Sequence, residues 1–189
     1  KRDHIILLVK GQNVWYLKKT HKFGVHMPKS VKEARELDKA NGNTFWADAI
    51  AKELKNVRVA FRVLEKDESV PRGHQHVRCH MIFDVKMEDF RRKARLVAGG
   101  HTTDPPATIT YASVVSRETV RIALMIAALN DLEVKMGDVL NAYITAPITE
   151  RIWTVLDPKW GTEAGKKTIG VRALYGLKSA GAAFRAHLS

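Results

Sequence analysis

Asp138 is the residue whose surroundings most call for chemistry. Leu132, Val134 and Met136 share one parity along an extended stretch, and Asp138 is next on that face. An ionised carboxylate on an apolar face is costly unless it is paired, hydrogen-bonded or bound to metal. Two readings fit. Asp138 is a functional carboxylate displayed at a strand end, or it caps the short helical segment 141–146 that Pro147 stops. Tyr143 follows, with Asn141 and Ala142 between. That spacing suits a helical turn whose backbone N–H groups face phosphates, with the ring beside whatever carries them; plain core packing explains Tyr143 as well. His74, His76, Cys79 and His80 are also metal-binding types. Their spacing is not that of a common zinc finger, and strand alternation sends them to different sides, so they read as hairpin residues. Trp46, Trp153 and Trp160 read as core or turn packing rather than platforms for bases.

These residues sit in a strongly basic chain of 189 residues, net charge +12. That length accommodates one core or two lobes, and the charge favours a polyanionic partner, nucleic acid ahead of a membrane surface. Such binding weakens with salt. The cations cluster at Lys18, Lys19 and Lys22, and at Arg91, Arg92, Lys93 and Arg95. No apolar run approaches the ~20 residues a membrane span needs. The apolar run from Ile5 to Val9 is shorter than the ~7–15 residues of a signal-peptide core. Cys79 is the only cysteine, which excludes an intrachain disulfide and favours a reducing compartment. The missing initiator Met suggests a piece of a longer chain.

The elements that must position these residues follow from periodicity. Residues 32–40 form a short polar helix. Thr44 caps a second, with Trp46, Ala49, Ile50, Leu54 and Val57 on one stripe. Val57 to Val63 and Cys79 to Val85 alternate as strands, and the polar stretch between them predicts a hairpin. A third strand over 93–98 stops at Gly99–Gly100. Ser116 caps a helix over 117–129, apolar nearly all round and therefore expected to be buried on several sides. Strands follow at 133–139, 152–156 and 167–174, then a turn over 175–178 and a helix capped by Ser179. This mixture predicts an α+β fold.

Four segments then carry a resemblance. Residues 93–100 (KARLVAGG), 111–115 (YASVV), 137–143 (GDVLNAY) and 174–179 (LYGLKS) resemble, in order, motifs of Ty1/copia-type retrotransposon reverse transcriptases. The second is shortened, Tyr143 stands where the family usually has Phe, and Phe184 stands for a later Trp. The resemblance implies the fingers and partial palm of a right-hand polymerase over 44–189. Fingers would be 44–105 and 148–176, palm 106–147 and 177–189, with 1–43 a basic extension. It implies template-directed addition of deoxynucleotides to a primer 3′-hydroxyl.

Residue by residue, the resemblance makes Asp138 the first catalytic carboxylate and, with the carbonyl of Val139, a ligand of Mg2+ (two ions in the complete enzyme, Mn2+ as a substitute). Asn141 and Ala142 offer N–H groups to the triphosphate, and Tyr143 excludes a 2′-hydroxyl. Lys93 or Arg95 holds the triphosphate, and Tyr175 and Gly176 line the nucleotide site. Arg91, Arg92 and Lys178 lie near nucleic-acid phosphates. Implied partners are an RNA template, a DNA or RNA primer, deoxynucleoside triphosphates, and the remaining palm, thumb and RNase H parts of a Pol polyprotein. The implied setting is a cytoplasmic virus-like particle, with later nuclear entry. The Tyr-x-Asp-Asp motif is not in this sequence, so this chain alone is expected not to polymerise. A non-catalytic nucleic-acid-binding remnant is the alternative.

Overall fold

The computed structural model describes residues 20–107 and 110–189. The readings on Lys18, Lys19 and the apolar run at 5–9 lie outside the described residues. The chain divides into two compact units: Lys1–Glu53 with Met81–Arg95, and Leu54–His80 with Leu96–Ser189.

The first unit begins with a two-stranded hairpin, β1 (His21–Lys22) and β2 (Val25–His26). Helix α1 (Val31–Asn41) starts at Ser30, whose hydroxyl accepts the Glu33 N–H, and ends on left-handed Gly42. Helix α2 (Phe45–Val57) follows. Its cap differs from the one expected. The buried Asp38 carboxylate, on α1, accepts the N–H groups of Trp46 (3.1 Å) and Ala47 (2.8 Å), while Thr44 Oγ1 donates to Asp48 (2.8 Å). Trp46 meets the edge of Phe83 at 5.5 Å. Strands β5 (Cys79–Val85) and β6 (Arg92–Ala98) pair with each other. Within this unit Met81, Phe83, Val85 and Ala94 point inward, and Ile82, Asp84 and Arg95 are exposed.

The second unit is built on a four-stranded sheet in the order β3 (Phe61–Val63), β8 (Lys167–Gly170), β7 (Ile152–Val155), β4 (Gln75–His76). The β3–β8 and β8–β7 pairs are antiparallel and β7–β4 is parallel. The predicted hairpin between 57–63 and 79–85 is therefore not formed. Residues 58–60 are a 3-10 turn and β3 pairs with β8, over a hundred residues away. Phe61, Ile152, Leu156, Leu174 and the buried Thr154 and Thr168 fill this core.

Helix α3 (Arg117–Leu129) starts where expected, with Ser116 Oγ accepting Thr119 N–H at 3.1 Å. Its burial does not follow expectation: only Ala127 is buried, and Ile122, Leu124, Met125 and Leu129 are exposed. The predicted strand 133–139 is likewise absent, and 132–139 carry no regular structure. Both corrections share a cause. A strand needs a hydrogen-bonding neighbour and an apolar helix needs a face to pack on, and the described residues provide neither here. A single turn, α4 (Ala142–Thr145), and the terminal helix α5 (Ala180–Leu188) complete the unit. Together the two units are α+β, as predicted.

Candidate functional site

In the second unit, glycines bring two sequence-distant segments into close approach. The turn 174–177 closes with Leu177 N–H on Leu174 carbonyl (3.3 Å), and the Tyr175 carbonyl accepts Ala98 N–H at the end of β6 (2.8 Å). A Cβ on Gly176, at φ +90°, would lie 2.1 Å from the Ala98 carbonyl oxygen; one on Gly100 would lie 2.4 Å from the Gly176 carbonyl oxygen. Neither contact can relax by moving a flexible side chain, so this backbone crossing requires glycine on both sides. The turn that carries Tyr175 is thereby fixed against the end of β6.

Tyr175 in turn meets Tyr143. Their rings lie 4.7 Å apart at 59°, and Phe184 on α5 approaches Tyr143 at 6.1 Å and 75°. Three rings from separated parts of the chain thus form one cluster at α4. Asn141, immediately before α4, is left-handed (φ +53°), a conformation Asn tolerates better than most residues. Helix α5 is held by polar contacts that the sequence did not signal. The buried Glu150 carboxylate accepts both the N–H and the hydroxyl of Ser179 at 2.7 Å, and Thr149 donates to Ser179 Oγ. Ser179 is consequently not the side-chain cap that was expected. Gly181 sits tightly against Ala112, and Arg185 donates to Ser113 Oγ, which ties 111–113 to α5.

Asp138 and Val139 are exposed on the stretch without regular structure, and Asp138 is apart from the ring cluster in its order: Tyr143 is seated, the carboxylate is not. Among the described residues no group of three or more His, Cys, Asp or Glu comes together. A carboxylate and a backbone carbonyl are hard oxygen donors of the kind Mg2+ takes. They would be two of about six ligands such an ion takes. Lys178 donates to the Thr103 carbonyl, so its ammonium is engaged in holding the 100–103 turn. His74 Nδ1 lies 3.1 Å from the Pro71 carbonyl and His76 packs on Trp153. Burial pushes the Cys79 thiol up to about 11, leaving it a poor thiolate.

In the first unit, Lys93 and Arg95 lie on one face of β6, opposite the inward Ala94. Burial lowers the Lys93 pKa, and neighbouring Arg95 and Lys86 lower it further. An incoming anion would relieve that repulsion. Asp84 on β5 pairs with Lys22. Arg92 lies over the Phe45 ring (5.3 Å) and Trp46 (6.0 Å), and Arg91 pairs with Asp89 (3.4 Å).

The family described as reverse transcriptase (RNA-dependent DNA polymerase) matches residues 61–189. The chain belongs to this family, and its ordered motifs place it in the Ty1/copia retrotransposon type. One relative is the retrovirus-related Pol polyprotein from transposon TNT 1-94 of Nicotiana tabacum, 32% identical over 120 residues. That alignment covers 59% of this chain and 9% of the tobacco polyprotein. No solved structure matches the chain.

Proposed function

We propose that the chain supplies the fingers (44–105 and 148–176) and part of the palm (106–147 and 177–189) of an RNA-directed DNA polymerase, with 1–43 as a basic extension. The observation that carries this reading is the contact of Tyr143 with Tyr175. It joins the two motifs that, in this family, would line one nucleotide site, and the glycine crossing at 100 and 176 makes that contact stiff.

In this reading Tyr143 is a wall under the sugar, and the N–H groups of Asn141 and Ala142 meet the triphosphate. Lys93 and Arg95 counter phosphate charge, helped by the basic residues Arg91 and Arg92. Asp138 and the Val139 carbonyl hold one corner of a Mg2+ site, with Mn2+ as a substitute; the remaining carboxylates come from other parts of the polyprotein. When bound, two Mg2+ ions would activate the primer hydroxyl and stabilise the leaving pyrophosphate. Template, primer and nucleotides, together with thumb and RNase H parts, are the proposed partners, and a cytoplasmic particle with later nuclear entry the proposed setting.

The test is sugar selection by the full-length Pol enzyme carrying these residues. Tyr143→Ala should relax discrimination against ribonucleotides by about tenfold or more, the scale on which loss of a pocket wall acts. Unchanged selectivity would remove Tyr143 from the sugar site. A second reading, a non-catalytic nucleic-acid-binding remnant, draws on the exposure of Asp138 and on the absence, among the described residues, of any group of three or more His, Cys, Asp or Glu that could hold a metal. Under that reading the full-length protein binds primer–template but does not extend it.

A further inference from the structure

Within the first unit, a cleft of about 340 Å³ is lined by the rings of Phe45 and Phe90, by the cations Lys52, Arg91 and Arg92, and by the carboxylates Asp48 and Asp89. Its volume falls in the ~300–1,000 Å³ range of small-ligand clefts. Both phenylalanines are more than half exposed, 55% and 53%. Phe90 is held out at a cost. It occupies the left-handed region (φ +52°), where a bulky residue is strained and glycine would be at ease. Phe23, at the β1–β2 turn, is also left-handed (φ +53°) and meets Phe90 edge-on at 5.9 Å, beneath the Lys22 ammonium at 5.4 Å. Two hairpin turns thus spend backbone strain to present aromatic rings, where burial of an apolar side chain is not the return.

The charges around these rings are not evenly matched. Three cations, Lys52, Arg91 and Arg92, stand against two carboxylates; Asp89 pairs with Arg91, and Asp48 accepts the Thr44 hydroxyl, a bond that leaves its charge in place. Arg92 stacks over Phe45, donates Nη1 to the Phe90 carbonyl (2.7 Å), and keeps a buried Nε with no hydrogen-bond partner. Aromatic faces interleaved with cations bind unpaired nucleobases by stacking while the cations take the phosphates. The chain's net charge of +12 supplies the matching long-range attraction.

We infer that this cleft is a stacking site for an unpaired base of single-stranded nucleic acid, Phe45 and Phe90 contacting the base and Lys52 and Arg91 the flanking phosphates. The inference rests on the nucleic-acid reading above, which already uses Arg91 and Arg92, and adds Phe45, Phe90 and Lys52 to it as a base-stacking site.

The experiment is anisotropy of labelled single strands with this chain: oligo(dA), oligo(rA), and an abasic deoxy strand of equal length and charge. Wild type should bind both adenine strands more tightly than the abasic one. Phe45→Ala and Phe90→Ala should each weaken adenine-strand binding about tenfold while leaving abasic binding and the salt slope unchanged, and Phe90→Trp should retain the preference. Equal binding of abasic and adenine strands by wild type overturns the inference, and that comparison needs no substitution to fold. Alanine variants that keep the full preference also overturn it while leaving nucleic-acid binding intact. No binding of any strand by wild type would overturn this inference and the nucleic-acid reading together.

Discussion

Two parts of the second unit invite comparison, because both carry family motifs and only one is settled. Around Gly100 and Gly176 two backbone segments cross at distances that only glycine permits, and Tyr175, Tyr143 and Phe184 pack on the result. Around 117–140 the apolar residues face outward, Met136 at 98% and Leu140 at 83% exposure, and the stretch bearing Asp138 has no regular structure. The difference teaches where the information for each motif resides. The 174–178 turn finds all its partners within the described chain. Asp138 lies on a would-be strand whose hydrogen-bonding edge has no neighbour among the described residues, so its alternation has nothing to act on.

The comparison can be broken most sharply at the crossing. Gly176→Ala forces a Cβ into the Ala98 carbonyl at a positive φ, and should lower the unfolding free energy by at least about 3 kcal/mol in urea titration. A change under 1 kcal/mol would mean that the crossing is not tight. The opposite end is Met136→Ser. A side chain with no packing partner should tolerate it within about 0.5 kcal/mol in this chain, so a large loss would show that 132–140 is already packed.

A pH-dependent effect sharpens the account elsewhere in the second unit. Arg58 donates two bonds to Glu163, at 2.8 and 2.7 Å, and these hold the Glu163 carboxyl below its ordinary value. A depressed folded-state pKa contributes stability that is present above the unfolded value, about 4.3, and is lost as pH falls through the folded value. Glu163→Gln should flatten that part of the acid stability profile while costing under about 1 kcal/mol near neutrality, because the pair is partly exposed. An acid profile identical to wild type would remove the ion pair from the account.

Much of this was legible in sequence, and its limits are physical. Local signals were readable: the Ser116 cap, the alternation of Cys79–Val85, the strand ending at Gly99–Gly100. Pairing was not, because β3 finds β8 across more than a hundred residues and the parity of 57–63 says nothing about its partner. β4 is two residues long and carries no period at all. Two caps were misread for one reason: Asp38 took the α2 N-terminus and Glu150 took Ser179, and each acid, one on the preceding helix and the other 29 residues away, lies outside the few positions a local rule inspects. The candidate site was named by motif order rather than by geometry. The structure adds the contact of Tyr143 with Tyr175, and it adds the exposed rings of Phe45 and Phe90, the second on a left-handed backbone that sequence does not display.

The proposed function makes Asp138 a metal ligand of a working polymerase. The direct measurement is primer extension on an RNA template with Mg2+, comparing the full-length Pol enzyme with its Asp138→Asn variant. The account predicts extension by the wild type, and extension at background by the variant with primer–template binding retained. Wild-type rates in Asp138→Asn would contradict it.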